Sequence, residues 1–243
     1  MTEPTLSIVI PTIHRAPLLA QCLESVQETV QVGHEVICVT IADDEDTQDL
    51  LASHPTVKNI IDPVRTGFVR AANHGFRASR GTFIVQLNDD CQLMPYAIEN
   101  ALHMLRARAH RDVGQLAFFH DSPVQRNIQQ EIHVDGVRYV VCHVRGLCFA
   151  NFGLSTRRLY ESLGFYDEQF WMYGADPDFS LRIWHDAGLR VLPCPGALVR
   201  HHEWVDERSE DERAAQRDDN RKLFEKWDLS VPSDLAMTPS VVG

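Results

Sequence analysis

A chain of 243 residues, 44% of them hydrophobic, can bury a sizeable core as one large domain or as two fused lobes. Its formal charge of −11, from 34 acidic against 23 basic side chains, argues against a general nucleic-acid or anionic-membrane surface, so small anions need a specific pocket. No run approaches the roughly 18 apolar residues that span a bilayer, and the start MTEPTLSIVIPT lacks the basic region of a signal peptide. The six cysteines form no C-x-x-C pair and sit mostly in apolar strings such as VICVTIA, which suits reduced, packed thiols. The expectation is a cytoplasmic chain, at most peripheral at the inner membrane face.

The first ninety residues alternate short apolar runs with helical patterns, as βαβ units in a mostly parallel sheet do. Leu6–Ile10 reads as a strand, and Pro17 opens a helix in which Leu18, Leu19, Cys22, Leu23 and Val26 recur at helical spacing. Strands follow at Val36–Ile41 and Val57–Ile61, then a helix over Val69–Ser79 and a strand at Thr82–Leu87. Continuous apolar strands of this kind are buried on both faces. Pro95 starts a helix running to about Arg106, and Val113–Phe119 is a further strand. The style then changes: Gln129–Val134 and Val137–Val144 flank Asp135-Gly136, the dipeptide of a two-residue hairpin turn. Helices at Thr156–Leu163 and Asp178–Ala187 are each closed by a glycine, Gly164 and Gly188. A charged helix over Asp206–Trp227 precedes a tail, PSDLAMTPSVVG, that reads as frayed.

Several polar groups stand where open α/β sheets bind ligands, outside the carboxyl ends of the strands. The strand at Thr82–Leu87 runs into Asn88-Asp89-Asp90, and carboxylates are the ligands that hard divalent ions accept. Asp90 is the first choice of ligand; alone, it is equally at home as a turn acid. Asp43-Asp44-Glu45-Asp46 follows the second strand at the same edge, able to accept hydrogen bonds from a base or ribose, or simply to cap a helix near Thr47. Arg65 or Arg70, in the glycine-bearing segment Arg65–Gly75, can pair bidentately with a diphosphate.

Farther on, Asp176 precedes Pro177 in a segment rich in aromatics. It is either the N-cap of a helix opening at Pro177 or a carboxylate desolvated beside Phe170, Trp171 and Tyr173 and thereby suited to act as a general base. Arg182, one turn after Asp178, can orient that acid. His201-His202 follows the apolar run Ala197–Val199; such a pair is more often plain surface than a metal site.

In this order the motifs resemble glycosyltransferase family 2, the inverting family with the GT-A fold, and especially its rhamnosyltransferase-like members. SIVIPT is similar to the first strand of that family, ADDEDT to its acidic nucleotide-binding turn, and LNDD to its Asp-x-Asp site. Gly67, Asn73, Gly75 and Gly81 follow the spacing of its N-x-G helix region. GFYDEQFWMYGADPDFSLR resembles its G-F-D-E-x-F-x-x-x-E-D-x-D-x-x-x-R segment, and FEKWD its common tail. Asn88 stands where the first Asp of the metal motif is usual, and Ala175 replaces the Glu of the Glu-Asp pair.

The resemblance implies an α/β chain: an open, mostly parallel, doubly wound sheet with a small antiparallel insertion and a C-terminal helix. One domain would span residues 1–228, with a nucleotide-sugar half at 1–95, an acceptor half at 96–205 and a helix at 206–228, followed by a flexible tail at 229–243. It implies a metal-dependent inverting transferase using Mn²⁺ or Mg²⁺, with a UDP- or dTDP-linked donor and a glycan, lipid-linked or small-molecule acceptor. A homodimer through the charged helix is open. The implied donor residues are Pro11, Thr12, Ile13, Arg15, Asp43, Asp44, Arg65, Gly67, Asn73, Asn88 and Asp89. Asp90 and His201 would hold the metal, with His202 the alternative; Asp176 would be the base; Trp171, Tyr173, Asp178 and Arg182 would lie on the acceptor side. The rival functions are a nucleotidyltransferase and a catalytically silent nucleotide-sugar-binding relative.

Overall fold

The computed structural model describes residues 4–107, 111–121, 127–202, 209–230 and 240–241. Its elements begin with β1 (Leu6–Pro11), α1 (Ala16–Thr29), β2 (His34–Ile41), α2 (Glu45–Ala52), β3 (Val57–Asp62), α3 (Phe68–Ala78) and β4 (Phe83–Gln86). They continue with β5 (Cys91–Leu93), α4 (Ala97–Arg106), β6 (Val113–His120), β7 (Ile128–Val134), β8 (Val137–Val144), β9 (Leu147–Phe149) and β10 (Gly153–Thr156). The last are α5 (Arg157–Leu163), α6 (Ala175–His185), β11 (Arg190–His201), α7 (Ser209–Trp227) and β12 (Ser240–Val241). The main path of the sheet runs β12-β7-β8-β6-β10-β4-β1-β2-β3.

The half built from β3, β2, β1 and β4 is parallel. Every residue of β1 is buried, as a strand covered on both faces must be. Leu6, Ile8 and Ile10 face one layer with Leu19, Cys22, Leu23 and Val26 of α1 and Ala97, Ile98, Ala101 and Leu102 of α4. Val9 faces the other layer, with Val69, Ala72 and Phe76 of α3 and Phe179 of α6. All six cysteines are buried and unbridged. No helix among the described residues is long and apolar enough to cross a membrane.

Beyond β4 the sheet becomes mixed. Strand β10 lies antiparallel between β4 and β6, and β11 runs parallel to β6 and antiparallel to β5. None of β5, β9, β10, β11 and β12 stands out in the sequence, because they are short or interrupted and depend on pairing partners far along the chain. The hairpin joining β7 and β8 turns at Asp135-Gly136, both with positive φ, and pairs Val134 with Val137. Helix α6 opens at Ala175, behind Gly174 in a left-handed conformation, and not at Pro177. A proline in the first turn costs no hydrogen bond, so the helix tolerates it there. The helix expected from Asp206 is described from Ser209, because 206–208 lie outside the described residues. So do 231–239 and 242–243 of the tail expected to be flexible, while Ser240 and Val241 pair with Gln130 and Glu131 of β7.

Asn73, expected to contact a nucleotide, clamps two elements together. It is fully buried on α3, donates to the Tyr166 carbonyl at 2.9 Å and to Glu168 Oε1 at 3.1 Å, and accepts from Tyr166 N–H at 3.0 Å. Gly75, on the same helix, permits its close approach to β1: a Cβ there would lie 2.3 Å from Val9 Cγ1. Val9 is buried and stiff at χ1, so it cannot yield.

Asn73→Ala leaves a carbonyl and an amide unpaired, with an expected loss of about 2–3 kcal/mol in urea unfolding and unchanged nucleoside-diphosphate affinity. An unchanged urea midpoint with lost nucleotide affinity would return Asn73 to the donor site. Gly75→Ala overpacks the α3–β1 seam and is expected to lower stability by about 1–3 kcal/mol, read from the same midpoint at constant slope.

Candidate active site

Strand order reverses around β1, which has β2 on one side and β4 on the other, so the chain leaves these strands in opposite directions and opens a crevice at their carboxyl ends. Thr12 to Arg15 form the loop that leaves β1 at this end. Thr12 N–H bonds to the Val39 carbonyl at 3.0 Å, and its hydroxyl donates to Asp89 Oδ2 at 2.9 Å. Arg15 places Nη1 2.9 Å from Asp90 Oδ2 and 3.5 Å from Asp89 Oδ1. The two acids are 5% and 6% exposed, so their charges rely on these partners. Burial, and then the neighbouring charge of Asp90, push the Asp89 carboxyl up to about 7. Burial also works against Asp90, but His201 and Arg15 together outweigh it and hold that carboxyl below its ordinary range.

His201 reaches this pair through sheet pairing. Strand β11 sets His201 opposite Cys91 of β5, one residue past Asp90, and the imidazole Nε2 comes within 3.3 Å of Asp90 Oδ1. His202 N–H bonds the Asp90 carbonyl at 2.8 Å, while its ring pairs with Gln92 at 3.0 Å, so His201 and not His202 meets the carboxylate. Cys91 Sγ also falls within 4.8 Å of the ligand atoms of Asp90 and His201. Burial, and then Asp90, push that thiol well above its ordinary range, so it stays neutral and is a poor ligand for a hard cation. A carboxylate and an imidazole facing each other at 3.3 Å, with Asp89 adjacent, form a donor set that fits a divalent ion.

The acidic turn after β2 separates into two roles. Asp44 is 1% exposed, accepts from His14 N–H at 2.6 Å and caps α2 through Thr47 N–H at 3.2 Å. Its acceptor capacity is largely spent on the protein, whereas Asp43 is exposed beside it. His14 carries no signal in the sequence, yet it takes a positive φ of 53° and sets its ring 3.5 Å from Asp44. The guanidinium of Arg65 lies 4.7 Å over the Trp171 ring. Arg70, the alternative phosphate partner, lies 3.6 Å from Glu168. Gly67 adopts φ +88°, and a Cβ there would meet both the Trp171 ring and its carbonyl at 2.5 Å, so this turn and the Trp171 loop touch backbone to backbone. Asn88 accepts from Gln86 at 2.8 Å through its side-chain oxygen.

Asp176 is not the N-cap of α6; it follows the first residue of the helix. Its Oδ1 is buried and has no hydrogen-bond partner among the described residues, and burial pushes the carboxyl up to about 7 despite a hydrogen bond from Tyr166. The phenols of Tyr160 and Tyr166, whose rings pack against Phe179 of α6, are near enough to feel the charge of Asp176. Asp178 and Arg182, expected toward an acceptor, form an internal brace. Asp178 is fully buried, and it accepts from Arg182 Nε at 2.9 Å and Trp227 Nε1 at 2.8 Å, with Lys226 Nζ at 2.7 Å. Arg182 also donates from Nη1 to the Leu163 carbonyl and from Nη2 to the Phe165 carbonyl, both at 2.6 Å.

A profile of Glycosyl transferase family 2 matches residues 7–178, from β1 to the first turn of α6. A Bacillus subtilis protein, the uncharacterized glycosyltransferase YwdF, is 25% identical over 228 residues, spanning 92% of this chain and 84% of that protein. The low-salt glycan biosynthesis hexosyltransferase Agl6 of Haloferax volcanii is 30% identical over 107 residues, 43% of this chain and 25% of its own. Among solved structures, the mannosyltransferase PcManGT from Pyrobaculum calidifontis, in complex with GDP-Man and Mn²⁺, superposes with a TM-score of 0.67 at 19% identity. GalNAc-T7 with UDP, GalNAc and Mn²⁺ gives 0.65 at 14%. These fits cover 93% and 84% of this chain, which spans 65% and 44% of the two structures. The fold is therefore GT-A, and the match across β1, β4 and the start of α6 shows that the chain belongs to glycosyl transferase family 2.

Proposed function

We propose that the chain moves a hexosyl or deoxyhexosyl group from a UDP- or dTDP-linked donor to a hydroxyl of a glycan, lipid-linked or small-molecule acceptor, with inversion. The observation that carries this reading is the Asp90–His201 pair at the switch point of the sheet, in a chain of this family. PcManGT, bound to GDP-Man and Mn²⁺, and GalNAc-T7, bound to UDP, GalNAc and Mn²⁺, supply the analogy for donor and ion. Buried, unbridged cysteines suit a cytoplasmic setting.

In this reading Asp43 accepts hydrogen bonds from the nucleoside, with Thr12 and Arg15 setting the crevice wall. Asp90 and His201 hold Mn²⁺ or Mg²⁺, with Asp89 alongside. When bound, such an ion offsets the negative charge that builds on the departing diphosphate. Arg65 is a second cation for the diphosphate. Asp176 takes the proton of the acceptor hydroxyl while that oxygen forms its bond to the anomeric carbon. The bond from that carbon to the diphosphate oxygen breaks, and the nucleoside diphosphate leaves with the electron pair. A single displacement from the opposite face inverts the anomeric centre.

Incubation with a panel of nucleotide-sugars and Mn²⁺ is expected to release nucleoside diphosphate, and EDTA to stop it. No release from any donor with mixed acceptors would sink the reading, and pyrophosphate released from a nucleoside triphosphate would mark a nucleotidyltransferase instead. Asp90→Asn is expected to weaken Mn²⁺ binding by about tenfold or more in calorimetry, since a ligand matters at least as much as the groups that orient it. Asp176→Asn is expected to abolish turnover and keep nucleoside-diphosphate binding. Because the base accepts a proton only when ionised, and its carboxyl stands near 7, kcat should level off above that pH and fall about tenfold per unit below it. A pH-independent kcat between 5 and 8 would remove Asp176 from this role.

A further inference from the structure

The C-terminal helix α7 carries a fully buried carboxylate, Asp219, on which three successive backbone amides converge. Trp171 N–H reaches its two oxygens at 3.1 and 3.2 Å, Met172 N–H reaches Oδ2 at 2.8 Å, and Tyr173 N–H reaches the same oxygen at 2.9 Å. Consecutive amides turned toward one point form a concave anion site, and here the chain supplies its own anion. Such bonds to an ionised acceptor are among the stronger ones in a protein.

The loop held in this way ends directly at α6. Gly174 follows Tyr173, caps the helix in a left-handed conformation and offers no side-chain cap, so Asp219 supplies the polar anchor just ahead of the turn that bears Asp176. The same loop touches the opposite side of the site: the Trp171 carbonyl accepts from Val69 N–H at 3.2 Å, its indole abuts Gly67, and Arg65 lies over the ring. Three further contacts seat α7 on the segment. Lys222 donates to the Gln169 carbonyl at 2.8 Å, and Lys226 lies 2.7 Å from both Asp167 and Asp178.

We propose that Asp219 is a positioning residue: by gathering the amides of Trp171, Met172 and Tyr173 it fixes where Asp176 stands relative to the Arg65–Gly67 turn. The inference rests on the reading of Asp176 as the base. Helix α7, which lies beyond the family match ending at residue 178, thereby becomes part of the transfer machinery.

The test is Asp219→Asn in the full chain. It keeps the size of the side chain and one acceptor oxygen but removes the charge, and in either orientation its amide nitrogen faces the Trp171 N–H, which bonds both carboxylate oxygens. With donor sugar and Mn²⁺, kcat is expected to fall about 10- to 100-fold, the scale of a misplacement near 1 Å, while KM and the nucleoside-diphosphate Kd stay unchanged. A wild-type kcat, or a loss of nucleotide affinity that matches the loss of kcat, would overturn the inference. Should the variant not fold, amide exchange on the wild-type chain decides: slow exchange at 171–173 supports the anchor, and exchange as fast as in an open loop refutes it. Failure of the underlying reading is visible separately, as turnover surviving in Asp176→Asn while Asp219→Asn is impaired.

Discussion

Two carboxylates, Asp89 and Asp90, are buried side by side at the end of a strand, and their charge must be compensated where they stand. Much of the surrounding architecture meets this requirement. Arg15 leaves the loop after β1 to lie against both acids, Thr12 donates to Asp89, and β11 pairs with β5 so that His201 faces Asp90. Two neighbouring carboxylates split their ionisation: Asp89 is driven toward its neutral form, while Asp90 remains a strong anion. A site of this kind invites a multivalent cation, because such an ion compensates more charge per contact than a guanidinium does.

The opposite side of the site rests on buried polar braces. Asn73 ties α3 to the segment at Tyr166, Asp178 ties α6 to α7, and Asp219 ties α7 to the loop before α6. Each would be costly if half satisfied, and each is matched to several donors or acceptors. These residues are supports that hold the aromatic segment against the turn at Gly67. Asp176 differs, because its Oδ1 is buried without a partner among the described residues.

Legibility in the sequence followed the range of the interactions. The parallel half was visible because β1, β2 and α1 announce themselves through local periodicity, with strands buried on both faces and a helix apolar at every third or fourth residue. The Asp135-Gly136 hairpin was visible for the same reason. The short strands β5, β9 and β10 were not, because three or four residues carry no period of their own. Position in a motif did not reveal the local partners. Asn73, Asp178 and Arg182 stand where the family pattern places functional side chains, and each also bonds groups far along the chain that no local pattern foretells.

The sequence by itself determined the βαβ half, the polar edge at its strand ends, and the family, since all three are written in local runs whose order along the chain suffices. Only the tertiary structure decided which of two neighbouring groups faces the crevice. His201 rather than His202 meets Asp90 because β-pairing alternates side chains between faces. Asp43 rather than Asp44 stays exposed because a helix N-terminus and the His14 amide claim the second acid. The anchoring of the Trp171 loop by Asp219, 48 residues away, was likewise a matter of packing, since nothing local relates a carboxylate in a charged helix to three amides in a distant loop.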